Sequence, residues 1–275
     1  MINALSIDLE YWWSIELLKG RVNGARDDQV KESLAPLLDL LERYDTRATF
    51  FVLGSLAEKY PDAVEGLSER GHEIACHGYS HRTLHELGVN GFDEEVRMSL
   101  GALRKYRPMG FRAPTFSLDN STRWALDVLA GYGFYYDSSV FPVKTMLYGV
   151  PDAPLGIYRP ARDDITKNDP EGKMVELPLT VLKIGRNIPI SGGFYFRALP
   201  QWFLKMGIRE VNRQRPAVLY LHPWETYPET PRIGMGFPSR FITYHGIGGV
   251  MRKLEALMKE YRFACIADVL KEEHY

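Results

Sequence analysis

Cysteine is nearly absent from this chain, with two residues, Cys76 and Cys265, among 275. Their spacing suggests no disulfide framework. Cys76 adjoins a histidine, but neighbours on a strand point to opposite faces, so it reads as a buried thiol rather than a ligand. An excess of either charge is also missing: 34 Lys and Arg stand against 35 Asp and Glu. That balance removes the electrostatic reason to expect nucleic acid or an anionic membrane as partner. No apolar run approaches the ~20 residues needed to span a bilayer. The amino terminus, Met-Ile-Asn-Ala-Leu-Ser-Ile-Asp, lacks the basic region of a secretory signal or transit peptide, so the expected location is cytoplasmic. Internal repeats, low-complexity tracts and linkers are absent too, which predicts one domain over 1–275. Nothing in the composition speaks to oligomeric state.

What is present is a core-forming composition, 45% hydrophobic and 25% charged. Residues 3–9 read as a buried strand and 47–54 as a second, with leucines 34, 37, 38 and 41 at helical spacing in 27–44 between them. A helix over 55–70 stops at Gly71, and a strand follows over 72–76. The pattern continues as helix 92–106, strand 110–112, helix 119–131 and strand 134–137. Such alternation predicts a parallel sheet with helical crossovers, a distorted α/β barrel of about seven strands with its functional residues at their carboxyl ends. Residues 142–173 break the period with five prolines and read as a long loop, either a binding edge or a surface excursion. Strands over 174–184, a helix over 199–212, a strand over 217–221, a helix near 250–261 and a strand near 263–266 complete the chain.

Three short segments carry chemistry. Asp8 and Glu10, two apart at the end of the first strand, point to the same side. A metal hydrolase needs one carboxylate on its ion and one free to take a proton from water, though two acids could equally cap the following loop. His77 and His81, four apart, would share one face of a helical turn and could reach one ion, with Gly78 permitting an abrupt turn after the strand. His85 continues the spacing as a third option, and His72 reads as a structural or surface residue. His222 in Leu221-His222-Pro223 ends a buried strand and could donate a proton if a carboxylate holds it charged; Asp137, also at a strand end, is a candidate for that partner. Arg112, before Ala113-Pro114, could pair with Asp8 and keep it ionised, and the N–H of Thr115 could bind a developing oxyanion. Trp224 could stack on a sugar ring or simply pack.

Taken in order, Asp-x-Glu, His-x-x-x-His, Arg-x-Pro, Asp and Leu-His resemble the NodB-type polysaccharide deacetylases (carbohydrate esterase family 4). The stretches ATFFVLG, RGHEIACHGYSHRTL, GFRAPTFSL, YDSSVFP and VLYLHPWE are similar to the subfamily linked to exosortase and exopolysaccharide loci, over nearly the whole chain including a C-terminal extension. The resemblance implies Asp8 as base, Glu10, His77 and His81 as metal ligands, His222 as acid, Arg112 orienting the base and Asp137 holding the histidine. It implies a divalent ion, zinc first with cobalt or nickel as substitutes, and an N-acetylated glycan that loses acetate. An amide hydrolase of the allantoinase kind and a non-catalytic glycan-binding relative are the alternatives. The chain departs from the family where Leu9 separates the two acids, where Glu10 replaces an aspartate, and where Tyr11 and Thr115 stand in place of the usual aspartate and tyrosine.

Overall fold

The computed structural model describes residues 1–22, 28–145 and 147–275. Among them the strands are β1 Asn3–Leu9, β2 Thr49–Val52, β3 Glu73–Cys76, β4 Gly110–Phe111, β5 Tyr136–Asp137, β6 Val175–Glu176, β7 Val181–Ile184, β8 Arg186–Pro189, β9 Val218–Leu221 and β10 Phe263–Ala264. The α-helices are α1 Val30–Arg43, α2 Gly54–Lys59, α3 Pro61–Glu69, α4 Leu84–Leu103, α5 Trp124–Gly131, α6 Gly193–Ala198, α7 Gln201–Val211, α8 Pro223–Thr226, α9 Ser239–Tyr244, α10 Val250–Met258 and α11 Ile266–Glu272. Asp27, the expected start of the first helix, lies outside the described residues, as does Met146 within 142–173.

Strand β1 is the centre of the sheet. On one edge it pairs in parallel with β9, and on the other with β2 and, at its start, with β10. Strands β2 to β6 follow in sequence order, all parallel. Segments flanking the antiparallel β7–β8 hairpin close the curl: Leu177 N–H donates to Asp137 C=O (2.9 Å), Thr180 N–H to Val218 C=O (3.3 Å) and Tyr220 N–H to Ser191 C=O (2.9 Å). The expected barrel is therefore the observed one, with β1 to β6 and β9 as its staves and β10 as a short addition.

Every residue of β1 is buried because both faces of the sheet are covered. Leu5, Ile7 and Leu9 join the layer beneath the helices, with Phe50, Val52, Ile74, Cys76, Phe111, Leu219 and Leu221. The alternate residues Ala4, Phe51, Ala75, Tyr136, Val175, Val218 and Tyr220 fill the barrel interior. This parity of two carries Ala4 on through Ser6 and Asp8, Ala75 to His77, and Tyr220 to His222. Cys76 lies on the outer face, buried and without a disulfide, and burial raises its thiol pKa to about 11.

Local chemistry explains where elements differ from their sequence signals. The single helix expected over 55–70 is two, α2 and α3, because Pro61 starts a helix and bars Tyr60 from helical backbone (φ −129°, ψ 58°). Helix α4 begins well before residue 92, at a Thr83–Glu86 capping box, and then passes Gly88 in a non-helical conformation that hides its first turn from periodicity. Strand β8 and helices α9 and α11 were not anticipated; Arg186-Asn187-Ile188-Pro189 has no apolar alternation to announce a strand. Residues 142–173 form no helix or strand among those described. They still bury Val143, Val150, Ala153, Tyr158 and Ile165, so the stretch is packed against the barrel rather than loose on its surface.

Of the two expected readings of His72, structural or surface, the structural one holds: it is buried and its Nδ1 accepts the Ala48 N–H at 3.2 Å. Burial, with Arg70 and Arg47 adding to it, lowers its pKa from 6.5 to about 4. The unfolded chain therefore binds this proton first, so the stabilisation is complete above pH 6.5 and is lost as pH falls through about 4. His72→Gln, which keeps an acceptor, should narrow the difference in Tm between neutral pH and pH 4.5. Thermal melts of both proteins across that range check it, and parallel curves would assign the acid sensitivity elsewhere.

Candidate active site

Asp8 and Glu10 stand where β1 opens at its carboxyl end, both almost fully buried and on the interior parity. His77 follows β3 directly. The helical turn expected across 77–81 is not there: this stretch is a turn, with Gly78 at φ 76° and His81 at φ 63°. Left-handed backbone at both positions folds the loop back so that the imidazoles sit edge to face, 5.3 Å apart. Glu95 of α4 pins the loop, its carboxylate accepting Tyr79 N–H and Ser80 N–H at 2.8 Å each and Ser80 Oγ–H at 2.5 Å.

Ligand atoms of Glu10, His77 and His81 lie within 4.8 Å of one another. Glu10 Oε2 is 2.5 Å from His81 Nε2 and 3.7 Å from His77 Nε2. His77 Nδ1 is 2.8 Å from the Arg112 carbonyl oxygen, which can only accept, so Nδ1 carries a proton and Nε2 is the nitrogen turned toward Glu10. Burial would raise the Glu10 carboxyl, but His81, His222 and His77 outweigh it and hold it well below the usual carboxylate range. Its second oxygen, Oε1, is buried with no hydrogen-bond partner, a costly state that a bound cation relieves. Two imidazole nitrogens and a carboxylate suit zinc and its neighbours. His85 is not part of the cluster; it is exposed on α4 and pairs with Asp119 at 3.1 Å.

Arg112 is fully buried beneath this cluster. Its Nη1 donates to Asp8 Oδ1 (2.7 Å) and Ser6 Oγ (2.8 Å), its Nε to Ser138 C=O (2.9 Å) and its Nη2 to Ser138 Oγ (2.9 Å). The guanidinium also lies 4.1 Å from the centre of the Phe51 ring. The expected Arg112–Asp8 pair is thus present, and Ser6 and Ser138 are partners that sequence reasoning missed.

His222 faces the same cavity, with Nε2 3.9 Å from Asp8 Oδ2 and 3.6 Å from Glu10 Oε1. Its holding carboxylate is Glu225, whose Oε2 is 2.8 Å from Nδ1, and not Asp137. Strand parity explains the correction. Tyr136 points into the barrel, so Asp137 points out, where it accepts Ser139 N–H (2.9 Å) and Ser139 Oγ–H (2.8 Å) and sits in register with Glu176. Burial pushes both carboxyls up, Glu176 well above its usual range because Asp137 adjoins it. Burial opposes charge on His222, but Glu10, Glu225 and Asp8 prevail and push its pKa up to about 9. The Glu225 signal was readable: glutamate three residues after the histidine, across Pro223-Trp224, is a capping-box position. Trp224 stacks on the His222 imidazole (centroids 5.4 Å apart, planes at 26°), so this ring face packs a histidine and is not open to a sugar.

The cavity over these groups is lined by Thr115, Phe116, Tyr148, Phe194 and Ile242 among others. Thr115 holds left-handed backbone (φ 56°), strained for a β-branched residue and of the kind that collects at functional sites. Leu147 and Tyr148 bring the 142–173 stretch to the wall of the cavity.

Fold and side chains together place a candidate metal site, flanked by the Asp8 carboxylate and the His222 imidazole, at the carboxyl end of a barrel. Residues 22–134 match the family model described as Polysaccharide deacetylase, and residues 138–271 match Domain of unknown function (DUF3473). Each of these two matches covers less than half of the chain. The chain is 34% identical over 95 residues to a peptidoglycan-N-acetylglucosamine deacetylase of Bacillus cereus (33% of this chain, 34% of that one). It is 38% identical over 87 residues to chitin deacetylase 1 of Saccharomyces cerevisiae (30% of this chain, 29% of that one). It thus spans about a third of each of these relatives. A solved structure of Puue allantoinase shares the fold at TM-score 0.62 and 16% identity, covering 99% of this chain and 90% of that one. No helix among the described residues is long and apolar enough to cross a membrane.

Arg112→Met should destabilise the fold by about 3–5 kcal/mol, since it leaves the Asp8 carboxylate buried and unpaired. Adding Asp8→Asn should recover part of that loss. A double-mutant cycle in urea measures the coupling, and additive effects would show that the pair does not couple.

Proposed function

We propose that this protein removes N-acetyl groups from amino-sugar residues of a polysaccharide or its precursor and releases acetate. The observation that carries this reading is the placement of two acid–base groups, Asp8 and His222, 3.9 Å apart beside the Glu10–His77–His81 cluster. Bound there, a divalent ion, zinc in this reading with cobalt or nickel as substitutes, would polarise the acetyl carbonyl and acidify water. Asp8, oriented by Arg112, takes the proton of the attacking water. The backbone N–H of Thr115 stabilises the developing oxyanion. His222 gives its Nε2 proton to the departing nitrogen, because an amine anion is too basic to leave unprotonated. The C–N bond breaks, and acetate and the free amine are the products.

Relatives described as peptidoglycan-N-acetylglucosamine and chitin deacetylases support a glycan amide as substrate. The motif likeness to the exosortase-linked subfamily, together with the second matched region, supports an exopolysaccharide or its precursor. The sheet draws β1 to β5 from before residue 138 and β6, β9 and β10 from after it, which supports 1–275 acting as one catalytic unit with a C-terminal subfamily extension.

Acetate release from N-acetylglucosamine oligomers tests the reading. Asp8→Asn should lower kcat at least about 100-fold, the lower end for loss of a general base. Undiminished release by that variant would reject Asp8 as base. In parallel, Glu10→Gln should lose zinc in elemental analysis of the purified protein, and full zinc content would remove Glu10 from the ligand set.

A further inference from the structure

We infer that Arg197, working through Glu225, is a positioning residue for the proton donor His222; this rests on the deacetylase reading above. Arg197 lies in α6, within the region matched only by a domain of unknown function, and is almost fully buried. Its Nε donates to Glu225 Oε1 at 2.7 Å, while the other Glu225 oxygen meets His222 Nδ1 at 2.8 Å. Its two remaining nitrogens donate to main-chain carbonyls, Nη1 to His245 (2.6 Å) and Nη2 to Ile242 (2.8 Å). The guanidinium fork is thereby satisfied on three sides, which fixes the carboxylate plane more tightly than a point charge would.

The backbone of Arg197 is itself held. Lys253 of α10 donates to the carbonyls of Phe196 (3.1 Å), Arg197 (2.7 Å) and Leu199 (2.6 Å). Gly246 approaches so closely at φ 77° that a Cβ there would stand 2.8 Å from the Arg197 carbonyl oxygen. Trp224 fills the space beside this chain of contacts, 5.8 Å from the Arg197 guanidinium and 5.4 Å from the His222 ring. Arg197, Glu225, Trp224 and His222 all belong to residues 138–271. The region without an assigned function thus supplies the acid half of the site, and the 242–245 wall of the cavity is tied to the acid through one arginine.

The test compares leaving groups. An amide nitrogen needs the His222 proton, whereas the nitrophenolate of 4-nitrophenyl acetate departs without one. Arg197→Lys and Glu225→Gln should each lower kcat on an N-acetylglucosamine oligomer about 100-fold, with KM changed no more than about threefold and a loss on the aryl ester less than a tenth as large. In a crystal structure of Arg197→Ala the His222 ring should turn from its wild-type position; if that variant does not fold, Arg197→Lys carries the comparison. Equal losses on both substrates, or an undisplaced ring with undiminished amide turnover, would overturn the proposal. The ring position reads out even if the wild type releases no acetate from the oligomer, a result that would count against the glycan reading alone.

Discussion

A guanidinium sealed inside the barrel organises the site. Arg112 joins β1 through Ser6 and Asp8, the end of β5 through Ser138, and β2 through the Phe51 ring. Its carbonyl oxygen meanwhile holds His77 Nδ1. A buried cation is tolerable only when its donors are met, and here meeting them fixes the Asp8 carboxylate, while the main-chain carbonyl of the same residue fixes the His77 tautomer. Asp8 and His77 are therefore positioned by the same residue, one through its side chain and the other through its main chain.

The other members of the candidate metal cluster are fixed by backbone that has little freedom. The 77–81 turn relies on left-handed residues and on Glu95, which takes up two consecutive N–H groups. Glu10 follows the last paired residue of β1, so its side chain is aimed by a strand. Ions bound by carboxylates and imidazoles tolerate little error in ligand placement, and strand ends with clamped turns provide that accuracy where a flexible loop would not.

The two halves of the chain divide the chemistry. The earlier half carries Asp8, Glu10, His77, His81 and Arg112, the groups that would handle water and an ion. The later half carries His222 with its retinue of Glu225, Arg197 and Trp224. They meet because β9 pairs with β1 over Ala4↔Val218 to Ile7↔Leu221, bringing the ends of the two strands, and so Asp8 and His222, to the same mouth of the barrel.

Much of this was legible in the chain itself. Period-two patterning marked the strands, helical spacing marked the crossovers, and acids or histidines directly after apolar runs marked the strand ends where a parallel barrel opens. Those are local properties, recorded in residue order, and they were enough to name Asp8, Glu10, His77, His81, Arg112 and His222. The partners of these residues are a different matter. Asp137 alone was expected to hold the histidine, but the parity of β5 turns it outward to Glu176 while α8 turns Glu225 inward. Arg197 carries no local mark because its three acceptors come from residues 28 to 48 positions away. The sequence determined which groups stand at the barrel mouth; tertiary structure decided which of them touch, because hydrogen-bond partners depend on closure and register between segments far apart in the chain.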